Sequence, residues 1–393
     1  MSSVQPTDNR EQEPDSLPAW LQHQARRQAS GIALRHKHLG IWQVRSWGQV
    51  ADEVRSLASA LQQRGFAPGA SLLVLSRPRP EALLLALAAQ WLGGEAALLD
   101  PLQPGEPQAA LLAELQTQYV FAEGLAELRR LQAVGSTPDV LLYADGRGVV
   151  GDSAGAAALS YQALLAEGGS GAVTVLAGME QTAFALYRQA ASGELQWQRI
   201  SHGELLQHGA RLVQREQLGR HEEALAARAF AAGGQARYLL APWLIAGFRL
   251  NFPENLATRD HDRRELGPTL VAGTRDTYAR LHAQVLARLP EPGSWRRRLV
   301  DWALQPEPGI WPRSVGYWLI RRPLRDVLGF SRTRAPLLVG EPLDEDVQAF
   351  FHALAIDVRT WPDPAQWQSP QRRPQVAAWN NVGSALAAQG NGL

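Results

Sequence analysis

Residues 183–206 read AFALYRQAASGELQWQRISHGELL and lie near the middle of the 393-residue chain. Positions 184–187 and 197–200 are apolar or aromatic enough for two short strands, with a bend at the small residues around Ser192 and Gly193. Ser201 and Glu204 have the S-x-x-E spacing of a capping box, so a helix starts there. Two uses of this strand–loop–strand stay open. It is an ordinary hairpin, or the backbone N–H groups of its tip hold a phosphate. The hairpin is the plainer use, because no G-x-x-x-x-G-K-[ST] loop is present.

Outward from this stretch the pattern is regular. Upstream, 71–76, 96–100, 119–122 and 140–143 read as strands, and 81–92, 108–116 and 125–131 as helices between them. Strands separated by helices of about ten residues predict a parallel, doubly wound α/β sheet. Further back, Ser16 with Pro18 opens a helix, 32–36 and 41–44 form a hairpin, and Ser46 with Gln49 caps another helix. Val50, Val54, Leu57 and Leu61 give that helix its buried stripe, and Gly65 to Gly69 ends it. Downstream, 205–214 is a helix, 221–234 is Ala-rich and 238–247 is strongly apolar. The run 238–252 lines an acyl channel or, more simply, builds core. Near the end come a strand at 337–339, a helix at 344–355 and a strand at 356–359. Gly151-Asp152-Ser153-Ala154-Gly155 fits the G-x-S-x-G nucleophile elbow, but only Val149 and Val150 precede it, so a flexible loop is the better reading.

Composition narrows the function classes. The chain is 45% hydrophobic and 20% charged, as soluble globular proteins are. A net charge of +1 gives no general reason to expect nucleic-acid binding. With no cysteine there is no disulfide, thiolate nucleophile or Cys-based metal site. No apolar run is long enough to span a membrane, and the first thirty residues lack a signal-peptide pattern, so a cytoplasmic location is expected. Lys37 is the only lysine.

The central stretch resembles the phosphate loop of the AMP-forming acyl-CoA synthetase superfamily, Y-T-S-G-T-T-G-x-P-K-G-V-x-L-S-H-x-N-L. Tyr187, Gly193, Ser201 and His202 match it, and Ser192 replaces a Thr. The positions that carry the chemistry differ. T-S-G is Arg188-Gln189-Ala190, the next Thr is Ala191, and the lysine is Gln196. The similarity continues through ALRHKHLGIWQVRSWGQVADEV (33–54), GFAPGASLLVLSRPRPEALLLALAAQWLGGEAALLDP (65–101), RLNFPENLATRDHDRRELGPTLVAG (249–273) and LLVGEPLDEDVQAFFHALAIDV (337–358). These segments are like the N-terminal domain of long-chain fatty acid CoA ligases.

The resemblance implies an adenylate-forming α/β domain with doubly wound sheets, incomplete at its C-terminus. It divides the chain into a disordered tail (1–15), a first α/β subdomain (16–171), a second carrying the degenerate loop (172–361), and a linker and tail (362–393). In the family a carboxylate attacks the α-phosphate of ATP, and coenzyme A then displaces AMP. The protein contributes mainly position and charge. Replacing the lysine by Gln196 removes a charged donor contributing about 1.5–3 kcal/mol, roughly ten- to a hundredfold in rate. Ala190 adds a Cβ where the loop needs a glycine. The family's L-P-x-A-H segment corresponds to Ala227-Arg228-Ala229-Phe230, without the His, and its magnesium-holding Y-G-x-T-E loop to Thr360-Trp361-Pro362-Asp363-Pro364. Its ribose-binding Asp, hinge and lid domain have no counterpart.

The expectation is therefore a non-catalytic binding or scaffolding homologue, with no catalytic or metal-ligating residue assigned, partnered by an intact acyl-CoA synthetase or another protein. The alternative is a long-chain fatty acid CoA ligase with residual activity or completed by a second chain, which alone requires ATP and Mg. A decayed product without a role is the third reading, and retained core patterning argues against it. One stretch stands apart: 295–334 holds nine arginines, three acids and Trp295, Trp302, Trp311 and Trp318. It is a solvated helical face with its tryptophans packed inward, or a peripheral contact with an anionic membrane; nucleic acid is the least favoured partner.

Overall fold

The computed structural model describes residues 13–100, 106–115, 117–169, 171–189, 194–228, 230–231, 233–305, 314–364 and 366–369. An N-terminal hairpin comprises β1 (Ile32–His38) and β2 (Ile41–Ser46). Then come β3 (Ser71–Leu75), β4 (Glu95–Leu99), β5 (Tyr119–Ala122), β6 (Val140–Tyr143) and β7 (Leu159–Ser160). A second hairpin pairs β8 (Thr182–Gln189) with β9 (Leu195–Ser201). The remaining strands are β10 (Glu223–Leu225), β11 (Arg249–Phe252), β12 (Leu270–Gly273), β13 (Ala335–Val339) and β14 (Arg359–Trp361).

These strands make two seven-stranded sheets, ordered β7-β6-β5-β3-β4-β8-β9 and β14-β13-β12-β10-β11-β1-β2. Each sheet is parallel except for its last strand, the outer arm of a hairpin. Parallel strands need both faces covered, and the helices that connect them supply the cover. The Pro80–Trp91 helix is apolar around most of its circumference, Glu81 and Gln90 excepted, and buried along its whole length. It belongs to a core that takes side chains from both sheets. The Trp47–Gln63 helix starts at the reciprocal capping box that Ser46 and Gln49 predict, with Gln49 N to Ser46 Oγ at 3.2 Å and Ser46 N to Gln49 Oε1 at 2.8 Å. Trp47 at its start stacks on Trp243, ring centroids 4.9 Å apart.

The doubly wound reading holds, but the sheets do not divide the chain at residue 171. The hairpin β8–β9 completes the first sheet, and β1–β2 from the N-terminus completes the second through Leu34 opposite Leu250. A hairpin needs only one free strand edge, and each of these finds it on the sheet built by the other part of the sequence. The Ala-rich stretch 221–234 conceals β10, a central strand. The predicted linker also begins as ordered chain: Gln368 bridges to Trp197 on β9. Tyr238 to Phe252 is core, since Tyr238, Leu240, Trp243, Leu250 and Phe252 are all buried. The G-x-S-x-G match is a 3₁₀ turn capped by Asp152, whose carboxylate accepts from Ala154 N at 3.0 Å, and no helix springs from it. Among the described residues no helix is long and apolar enough to cross a membrane.

Candidate functional site

The hairpin β8–β9 pairs Tyr187 with Trp197, Arg188 with Gln196 and Gln189 with Leu195. Both strands are longer than 184–187 and 197–200 suggested, because the ladder continues through polar residues toward the tip. Ala190, Ala191, Ser192 and Gly193 lie outside the described residues. Gln189 is placed by its backbone pairing alone. Tyr187 is half-buried against the smaller core under the first sheet, and burial, with the charge of Glu95 adding, holds its phenol above the usual pKa.

Arg188 and Gln196 stand where the family pattern has a Thr and the lysine, and they face one another. Arg188 Nε donates to Gln196 Oε1 at 2.9 Å. The guanidinium also lies 4.2 Å from the centroid of the Trp367 ring. That ring arrives on the segment beyond β14. Trp197 N donates to Gln368 O at 2.9 Å, and Gln368 N returns to Trp197 O at 2.8 Å. With its amide oxygen turned inward, Gln198 accepts from Gln366 N at 3.1 Å and from Arg237 Nη2 at 3.0 Å. The segment thus joins the open edge of β9 through one antiparallel β-bridge, Gln368 to Trp197.

Beneath it lies Arg237, with no exposed side-chain surface. It sits in a π-helical turn, Ala236–Leu240. Its Nη2 and Nε donate to Glu204 Oε1 at 2.7 and 3.1 Å, and Nη1 to Asp363 Oδ1 at 3.1 Å. Ser201 Oγ caps the His202–Glu216 helix by accepting from Glu204 N at 3.2 Å. The Glu204 carboxylate does not complete the predicted box; it turns to Arg237. Tyr238 donates its hydroxyl to Pro362 O at 2.6 Å and meets the Trp361 ring at 5.6 Å. Thr360 to Pro364, expected in place of a metal-holding loop, therefore packs on Arg237 and Tyr238. Arg228 donates to Thr277 Oγ1 at 3.2 Å, and Phe230 is buried against Phe252.

His202 is structural. It is fully buried, and its Nδ1 accepts from Leu17 N at 3.3 Å, satisfying a free N–H at the start of the Leu17–Arg27 helix. Burial pushes its pKa down to about 4. The folded value lies below the unfolded one, so the stability it supports is complete above about pH 6.5 and is lost as the pH falls toward 4. Unfolding stability should drop by about 2 kcal/mol between pH 7 and pH 5 from this group. His202→Asn keeps an acceptor for Leu17 N and should remove that part of the slope. Equal slopes in urea titrations of both proteins would refute the assignment.

Lys37 lies in the second sheet, whereas the hairpin β8–β9 belongs to the first. It is buried on β1 and bonded to Asp262 at 2.9 Å and to Glu265. Burial works against its charge, but the bonds to Glu265 and Asp262 prevail and raise its pKa. It borders a cavity of about 320 Å³ at the C-terminal ends of β1, β3, β5 and β6 that also holds Arg77, Arg79, Glu123, Asp145 and Arg147. Sequence reasoning missed this cavity, although S-R-P-R-P at 76–80 directly after a strand marks such a mouth. Its charges are paired among themselves: Arg77 Nε is 3.0 Å from both Glu123 oxygens, and Arg147 Nε 2.9 Å from Asp145.

The sequence model of a family described as AMP-binding enzyme matches residues 21–360. No curated protein matches the chain. Solved structures do. The adenylation domain of a carboxylate reductase from Mycobacterium chelonae is similar at a TM-score of 0.67 and 14% identity, over 90% of this chain and 58% of that one. O-succinylbenzoate coenzyme A synthetase from Bacillus subtilis is similar at 0.61 and 13%, over 91% and 62%. A long-chain-fatty-acid-CoA ligase from Archaeoglobus fulgidus is similar at 0.65 and 9%, over 89% and 64%. At these identities the likeness is one of fold. The chain spans less than two thirds of each of these proteins.

Proposed function

Since the chain belongs to the AMP-binding enzyme family, we propose that it is a non-catalytic member, a binding or scaffolding homologue that keeps the fold without the grip on nucleotide phosphates. One observation carries this reading: Arg188, the cation nearest the tip of the hairpin stem, bonds Gln196 through its Nε and lies 4.2 Å from the centroid of the Trp367 ring. A nucleotide triphosphate needs charged donors that are free to point at it. The described part of the hairpin holds no lysine, and its two arginines already have partners, Arg188 in Gln196 and the Trp367 ring and Arg199 in Glu95, so the residues present are a poor fit to ATP and magnesium. Arg237 offers no substitute, because its guanidinium is buried between Glu204 and Asp363. The binding partner on this reading is an intact acyl-CoA synthetase or another protein.

Calorimetric titration of the full chain with ATP and magnesium, and then with a non-hydrolysable acyl-adenylate analogue, tests it. No binding heat from a folded sample is expected. Binding of either at micromolar strength would overturn the reading and favour a long-chain fatty acid CoA ligase completed by a second chain.

A further inference from the structure

The Arg/Trp stretch folds as two packed helical segments, Trp295–Ala303 and the pair Tyr317–Arg321 and Arg322–Leu328. Arg321 Nε holds them together by donating to Ala303 O at 2.8 Å. Gly316 allows the approach, since a Cβ there would lie 3.1 Å from that of Ala303. The expectation that the tryptophans pack inward fails for two of them. Trp295 is 71% exposed and Trp318 62%, with Leu319 at 58% and Val327 at 44%. Trp302 is half-buried, and Trp311 lies outside the described residues. Val315, Trp318, Leu319, Pro323 and Val327 recur at helical spacing on the outward side, while Arg321 and Leu328 face in. An amphipathic helix ordinarily turns the apolar stripe to the core; this one shows part of it to solvent.

Charge accompanies the apolar face. Nine arginines against three acids give 295–334 a net charge of +6, on a chain whose total is +1. Arg296 and Arg322 lie over the rings of Trp295 and Trp318, at 5.4 and 4.6 Å. Arg297 is bound to Asp301 and Arg334 to Glu222, but among the described residues no carboxylate pairs with Arg296, Arg298 or Arg322. Exposed indoles beside unpaired guanidinium groups match a lipid surface at both levels. The rings suit the headgroup–acyl boundary and the cations suit lipid phosphates. Nucleic-acid phosphates would satisfy the arginines but leave Leu319 and Val327 in water.

We propose that this face docks on an anionic bilayer surface, with Trp295, Trp318 and Leu319 entering the headgroup boundary and Arg296, Arg298 and Arg322 meeting lipid phosphates. The inference does not depend on whether nucleotide binds. Sedimentation of the full chain with vesicles tests it. Phosphatidylcholine containing a third phosphatidylglycerol should bind about a hundredfold more tightly than phosphatidylcholine alone, for three arginines near the surface. Raising the salt to about 0.5 M should remove most of that preference. The double variant Trp318→Ala, Leu319→Ala should bind roughly tenfold more weakly to either vesicle. The triple variant Arg296→Gln, Arg298→Gln, Arg322→Gln should lose the lipid preference. All these side chains are exposed, and unchanged thermal unfolding would verify that the variants fold. Absence of vesicle binding, variants that bind like the parent, or equal binding to a polyribonucleotide that survives loss of Trp318 would each overturn the proposal.

Discussion

Truncation of Trp243 to alanine is expected to destabilise the protein by about 3–5 kcal/mol, measured by urea unfolding. The indole is fully buried and lies nearly parallel to Trp47, at an interplanar angle of 21°. Its Nε1 donates to Ala33 O on β1 at 3.2 Å. One side chain therefore joins the Ala241–Ala246 helix, the Trp47–Gln63 helix and the second sheet. Removal leaves a cavity among fully buried side chains, among them Trp47, Ala33 and Leu244. Two controls separate packing from hydrogen bonding. Trp243→Phe keeps an aromatic face and loses the bond to Ala33, for about 1–2 kcal/mol. Trp47→Phe should cost less, because the buried Nε1 of Trp47 has no partner among the described residues. A loss below about 1 kcal/mol for Trp243→Ala would sink this account.

Glu204→Ala should cost about 3 kcal/mol, more than removal of its partner by Arg237→Met. The intuition that either half of an ion pair is equivalent fails here, because the halves differ in exposure. Arg237 has no exposed side-chain surface, whereas Glu204 is 35% and Asp363 31% exposed. Without Arg237 both carboxylates can turn to water. Without Glu204 the guanidinium stays buried with one carboxylate, Asp363, and the neutral amide of Gln198, and an under-compensated buried charge is the costly outcome. Methionine fills much of the arginine stem and carries no charge, so Arg237→Met is expected near 1–2 kcal/mol. The same unfolding experiment decides it, and the reverse order would mean that Glu204 acts through something other than Arg237.

Much of the first sheet could be read directly. Strands β5 and β6 fall on 119–122 and 140–143, and β3 and β4 within a residue of expectation. Parallel strands covered on both faces are continuous apolar runs, and these segments are such runs. Strand β10 could not be read in the same way. It is three residues long and begins with Glu223, which is buried and held by Arg35 and Arg249 at 3.2 and 2.9 Å. A charge neutralised from the adjacent β11 and from β1 one strand further on breaks the apolar signal while leaving the strand intact. At the hairpin, S-x-x-E located the helix start correctly but not the destination of Glu204. A buried guanidinium is a stronger partner than an exposed backbone N–H, and Arg237 lies 33 residues away in sequence. The segment carrying Trp361 and Trp367 was harder still. Its prolines and charges read as linker, and its anchors are rings and edge-strand bonds to residues more than a hundred positions earlier.

The placement of the N-terminal hairpin sets an order in time. Leu34 pairs with Leu250, so β1 is made ~200 residues before its inner neighbour β11. At roughly 5–20 residues per second of translation, that is a wait of about 10–40 s. All seven strands of the first sheet, β3 to β9, are synthesised in that interval. The ribosome thus delivers a complete first sheet while β1 and β2, with Leu39 and Ile41 bare on their turn, have no sheet to join. Strands β1 and β2, made before every other described strand, are among the last to be placed, and the second sheet starts to close only after β11 has emerged.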